Sequence, residues 1–241
     1  IMFGGTGGDG LCMFLYDASV SPTIVAHGAG IGYVYNRSYN GSKTVGDETI
    51  DFRPYRMKGL AGAYLGVALD QYGNYKGLRL QSDSRVNGIP FGGTFDGSIR
   101  GMLDAKYNTQ DQVTLRGAAG PAFSTPGLGA GYTGYPVLIT QTTNNTDSYL
   151  GNNNRPGFEI ISTTGKYRYL SNYTGSLFPL GGSAEFSGPD EAAYRKAIIE
   201  LFPAPRTADD KSDGFLITVS IQHGHTREVI ISDYHYKESL I

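Results

Sequence analysis

The chain has 241 residues, with 20 Lys and Arg against 22 Asp and Glu for a net charge of −2, and it carries 35 glycines, 18 tyrosines, 11 phenylalanines and no tryptophan. That length fits one large β domain or two small ones with a substantial buried core. The near-neutral balance, with no Lys/Arg run longer than Arg195-Lys196, excludes a nucleic-acid or anionic-membrane partner, and the apolar runs are too short for membrane insertion. In chain order, 10–17, 29–35, 63–70, 74–80, 111–117, 134–141 and 157–162 read as strands between Gly, Asn, Ser and Pro clusters. Gly-, Asn- and Pro-rich stretches at 82–98, 117–135 and 142–157 read as long loops. Residues 190–202 have an acidic first turn and apolar residues at 193, 194, 197, 198 and 201, so local spacing and propensity predict a helix. Near the end, 215–221 and 228–236 flank His223-Gly224-His225-Thr226 as a β-hairpin. The single cysteine, Cys12, falls inside an apolar strand as a small buried hydrophobe. No repeat or linker divides the chain, and 1–241 reads as a single all-β domain of two packed antiparallel sheets.

Two segments carry candidate chemistry. Gly8-Asp9-Gly10 opens one apolar strand, and Asp70-Gln71-Tyr72-Gly73-Asn74 closes another. A glycine-bracketed Asp at a strand end points outward from a rigid base, and an Asp-x-x-x-Asn turn offers two hard oxygen donors of the kind Ca²⁺ takes. A pocket gathering Asp9, Asp70 and Asn74 suits a polyhydroxylated ligand, because carboxylate and amide groups complement hydroxyls that both donate and accept. The bland readings are an Asp9 turn cap and an Asx-turn at Asp70. His223, His225 and His235 invite a zinc reading, against which stands the commoner exposed hairpin histidine. Catalysis has little support: Asp47-Glu48-Thr49-Ile50-Asp51 lacks the alternation that would aim two carboxylates into a groove, and no nucleophile elbow or phosphate loop is present.

These segments resemble the L-type (legume-type) lectin family, in particular its bacterial cell-surface branch. Gly8-Asp9-Gly10-Leu11-Cys12-Met13-Phe14-Leu15, Gly28-Ala29-Gly30-Ile31-Gly32-Tyr33 and the run from Gly59 to Asn74 are similar to three of its motifs, in order, with weaker echoes at Gln112–Gly117, Tyr194–Lys196 and Val229–Tyr236. The resemblance implies a concanavalin A-like jelly-roll β-sandwich, non-enzymatic, that binds one monosaccharide in a shallow loop site. Carried over, Asp9 accepts from sugar hydroxyls, the Ala29 N–H donates one bond, and Asn74 serves both sugar and a Ca²⁺ whose other ligands are Asp70 and the Tyr72 carbonyl. Ala68 and Leu78 stand where metal-dependent members have carboxylates, so no Mn²⁺ site is expected and the Ca²⁺ site has lost a ligand. The resemblance also implies a strand from Tyr194 to Phe202 rather than a helix, and this is the expectation adopted.

The resulting expectation is a carbohydrate-binding module of a secreted or cell-surface adhesion protein, with a glycan or polysaccharide as partner. Family members carry further strands at both ends, so the chain is expected to be an ordered piece of a longer protein, with other domains or chains supplying the missing strands. Two alternatives stay open: a structural adhesin or filament module that kept the fold without a working sugar site, and a sandwich-fold polysaccharide hydrolase or lyase.

Overall fold

The computed structural model describes residues 10–22, 30–34, 42–51, 58–71, 73, 75, 84–86, 89–91, 111–119, 134–144, 157–161, 166–170, 175–181, 188–205 and 214–236. These residues form antiparallel β-structure with no α-helix among them. The strands are β1 (Gly10–Tyr16), β2 (Ser42–Val45), β3 (Glu48–Asp51), β4 (Ala63–Asp70), β5 (Ser84–Val86), β6 (Ile89–Phe91), β7 (Gln112–Arg116), β8 (Val137–Thr142), β9 (Phe158–Ile161), β10 (Lys166–Tyr169), β11 (Arg195–Pro203), β12 (Phe215–His223) and β13 (Thr226–Tyr236). A six-stranded sheet runs β1-β4-β7-β8-β9-β10 and a three-stranded sheet runs β11-β12-β13, while β2-β3 and β5-β6 are separate hairpins.

The strands alternate because their side chains serve two different interiors. Leu65, Val67 and Leu69 of β4, Val113 and Leu115 of β7, and Val137 and Ile139 of β8 join one apolar cluster with Ile217, Val219 and Ile221 of β12 and Ile230, Ile231 and Tyr236 of β13. That cluster draws on both sheets, and the Tyr236 hydroxyl adds a direct tie by donating to the Tyr64 carbonyl at 2.6 Å. The opposite face of the six-stranded sheet carries a second cluster of Tyr33, Val34, Leu60, Ala63, Ala68, Tyr75 and Tyr135, with Cys12 packed against it. Glycine makes this second face possible: a Cβ at Gly66 would lie 2.8 Å from the Tyr33 ring, and one at Gly59 would lie 2.5 Å from the Tyr135 ring.

Two sequence expectations need correction, and one local preference is overridden. Residues 30–34 form a tight turn rather than part of a strand over 29–35: Tyr33 N–H donates to the Gly30 carbonyl at 2.9 Å, and Ile31 and Gly32 take φ of 44° and 70°, which an extended strand does not allow. The helix that local spacing favours at 190–202 is absent, and β11 instead pairs with β12 over its full length, from Arg195 opposite His223 to Pro203 opposite Phe215. A strand is what the family resemblance implied there; nine residues of ladder outweigh a helical preference of a few tenths of a kcal/mol per residue. Within the stretch expected to be loop at 82–98, β5 and β6 form a short hairpin. The expectation over 74–80 falls almost wholly outside the described residues.

Candidate functional site

Backbone pairing lines up one row across four strands. Gly10 pairs with Asp70, Asp70 with Gln112, and Gln112 with Thr142, so β1 begins, β4 ends, β7 begins and β8 ends at one end of the six-stranded sheet. Gly10 must be glycine there: its φ is 138°, and a Cβ would lie 2.1 Å from the Leu69 carbonyl oxygen. Of the residues singled out from the sequence, Asp70 is described; Asp9, Ala29, Tyr72 and Asn74 lie outside the described residues. Their described neighbours are Gly10, Gly30, Gln71, Gly73 and Tyr75.

Asp70 is fully buried and holds the chain that leaves β4. Its Oδ1 accepts the Gly73 N–H at 2.7 Å and its Oδ2 accepts the Tyr75 N–H at 2.8 Å. The carboxylate therefore staples Gly73 and Tyr75 to the end of β4. Ca²⁺ takes about six to eight oxygens. Of the implied set the described residues supply one carboxylate, each oxygen of which already accepts an N–H, so they do not make a calcium cage by themselves. Among the described residues no three His, Cys, Asp or Glu side chains gather as a metal centre would require. The histidines do not converge either: His223 pairs with Thr226 and His235 with Leu216, at opposite ends of β12, a separation of roughly 23 Å at the rise of a strand.

A second acidic residue at this sheet end was not singled out from the sequence. Asp111, buried with φ of 60°, accepts the Leu180 N–H on Oδ1 at 2.8 Å and the Asn144 amide on Oδ2 at 3.0 Å. Its N–H donates to the Gln71 carbonyl at 3.2 Å, and its own carbonyl accepts the Thr143 N–H at 2.9 Å. Burial raises its pKa, opposed by the Asn144 bond, the Leu180 and Gly181 N–H groups and the charge of Arg195. Asp before a strand reads as an ordinary turn residue, and only the distant partners Asn144 and Leu180 distinguish it.

Residues 175–181 strap the two sheets together beside this end. Ser176 N–H donates to Glu228 on β13, Phe178 exchanges bonds with Thr143 through both its N–H and its carbonyl, and Leu180 reaches Asp111. The Phe178 ring stacks on His223 with centroids 4.1 Å apart, and the Arg195 guanidinium sits 5.5 Å from the same ring. His223 Nε2 is buried and has no hydrogen-bond partner among the described residues. Burial lowers the His223 pKa first and the Arg195 charge lowers it further, while Glu228 pulls it up. The unfolded chain thus takes up a proton at the ordinary value of 6.5 before the folded one does, and stability should fall as pH drops below that value. Asp111, with its raised pKa, acts with opposite sign and in the carboxylate range. We expect the urea midpoint to drop between about pH 7.5 and about pH 5.5, and His223→Gln to flatten that slope. An unchanged slope in the variant would show that His223 contributes nothing to it.

The second face of the sheet holds the third set of residues that sequence reasoning missed. Arg116 is fully buried, and so are Tyr33, Tyr75 and Tyr135 around it. The Tyr33 hydroxyl donates to the Gly117 carbonyl at 2.9 Å and the Tyr135 hydroxyl to the Leu60 carbonyl at 2.8 Å. Cys12 Sγ lies 3.8 Å from the Tyr75 hydroxyl, and desolvation pushes its pKa up to about 12, so the thiol is an inert packing group.

The chain matches no family model, no curated protein and no solved structure.

Proposed function

We propose that the chain is a non-enzymatic carbohydrate-binding module, built as an L-type lectin-like β-sandwich of jelly-roll type and carried on a secreted or cell-surface adhesion protein. One observation carries the reading: Gly10 pairs with Asp70, so the segment that follows Asp9 and the segment that leads into Asn74 meet at one sheet end. Those are the two segments whose residues resemble the family's sugar-binding motifs. In this proposal Asp9 and Asn74 bind the sugar hydroxyls, the Ala29 N–H adds a donor, and Asp70 holds the loop from behind. A shared apolar cluster between the six- and three-stranded sheets supports the sandwich.

A glycan array with the wild-type protein and Asp9→Ala tests the proposal. The wild type should bind a defined class of glycan. Asp9→Ala should lose nearly all of that binding, because it deletes a charge-assisted acceptor worth about 1.5–3 kcal/mol. Calcium, with Asp70, Tyr72 and Asn74 as ligands, belongs to the same proposal and is tested by adding chelator. Loss of binding in chelator supports the metal, and retained binding assigns the loop to the Asp70 staple alone.

A second reading has its own observation. The carboxylate oxygens of both Asp70 and Asp111 accept bonds from the protein itself, as they would in a structural module that kept the fold without a sugar site. A silent array with a correctly folded protein would favour that reading, and release of reducing sugar from a polysaccharide panel would favour an enzyme.

A further inference from the structure

Arg116 projects from β7 into the second face of the six-stranded sheet, where it is fully buried. Three of its donor nitrogens reach two main-chain carbonyls from separate loops. Nε donates to the Tyr75 carbonyl at 3.2 Å, Nη2 donates to the same oxygen, and Nη1 donates to the Tyr135 carbonyl at 2.6 Å. The guanidinium carbon also lies 4.9 Å from the centroid of the Tyr75 ring. Tyr75 is where the Asp70 staple ends, its N–H donating to Oδ2. One residue is thus held by its N–H from a buried anion on β4 and by its carbonyl and ring from a buried cation on β7.

Those two holds do different work. The Asp70 carboxylate fixes the N–H groups of Gly73 and Tyr75, which sets the turn. It does nothing to the Tyr75 carbonyl, so the direction in which the chain leaves the turn is left to Arg116. Only a planar fork can place two donors on one carbonyl, a third on another, and still stack on a ring. A lysine ammonium keeps the charge and loses that geometry. We propose that Arg116 is the positioning residue of the chain leaving β4, fixing the Tyr75 carbonyl while Asp70 fixes the Tyr75 N–H, and with them the presentation of this sheet end to a polyhydroxylated ligand. The ligand-binding consequence rests on the carbohydrate reading above; the clamp on the loop does not.

Amide hydrogen exchange on the full chain tests the clamp without any ligand. In Arg116→Lys, exchange at Gly73 and Tyr75 should accelerate about tenfold or more over wild type, while Val219 and Ile221 in β12 keep their wild-type protection. The same variant should weaken glycan binding by about tenfold with the same order of preference among glycans, because the ligand-contacting groups are retained and only their placement loosens. Arg116→Met removes the charge as well and should move Gly73 and Tyr75 further in the same direction; should it fail to fold, Arg116→Lys decides alone. Unchanged exchange at Gly73 and Tyr75 in Arg116→Lys would overturn the proposal. So would an equal acceleration at Val219 and Ile221, since Arg116 would then only support the whole fold. A wild type that binds no glycan sinks the carbohydrate reading and leaves the exchange result to stand on its own.

Discussion

Replacing Asp70 with alanine is expected to destabilise the protein by about 3–5 kcal/mol, because two charge-assisted bonds are lost and two buried N–H groups are stranded. The N–H groups are those of Gly73 and Tyr75, and Asp70 itself has no exposed surface through which water could replace it. For a chain of this size each kcal/mol lowers the melting temperature by about 2–4 °C, so a drop of about 6–20 °C is expected. Asp70→Asn is the informative companion. Its carboxamide has the same shape but one acceptor oxygen, so it should keep one of the two bonds and lose about half as much. If Asp70→Ala melts with the wild type, the carboxylate is not the staple of this turn.

Much of this architecture is readable from residue order, and the places where it is not have physical causes. The hairpin of β12 and β13 announces itself, since two alternating apolar runs flank a turn with Gly224 at φ of 55°. Strands β1, β4 and β7 are equally plain because glycines mark their ends. The turn at 30–34 misleads because Tyr33 and Val34 are both fully buried. Apolar content reports burial, and only the positive φ of Ile31 and Gly32 shows that the chain is folding back. β11 misleads in the other direction, since its strand pairing depends on a partner that starts ten or more residues later.

The site residues divide in the same way. Asp70 can be found from its place at the end of a strand, and its role as a staple is one of the two that spacing allows. Arg116 is invisible: a charged residue in a short strand reads as facing water, and what makes burial tolerable is a pair of carbonyls from Tyr75 and Tyr135. Asp111 and Phe178 are hidden for the same reason. Their meaning lies in Asn144, Leu180, Arg195 and His223, which only the fold brings to them.

Phe178→Ala should be the most damaging change in the strap, with an expected loss of about 3–5 kcal/mol. The ring is 4 % exposed, belongs to the cluster shared by both sheets, and is in contact with His223 and Arg195. Its two backbone bonds to Thr143 survive the substitution, so the loss reports the side chain alone. Phe178→Leu keeps most of the buried area and gives up the flat face, and should lose about 1–2 kcal/mol. The two variants also differ in what they do to His223. Alanine opens the face of the imidazole to water, which relieves the burial that lowers its pKa, and the titration should move up toward the ordinary value of 6.5. Leucine keeps that face covered and should leave the titration close to its wild-type position. NMR titration of the His223 ring, read beside urea unfolding, checks both halves. A Phe178→Ala protein within about 1 kcal/mol of wild type, with His223 unmoved, would show that the strap is held by its backbone and not by this ring.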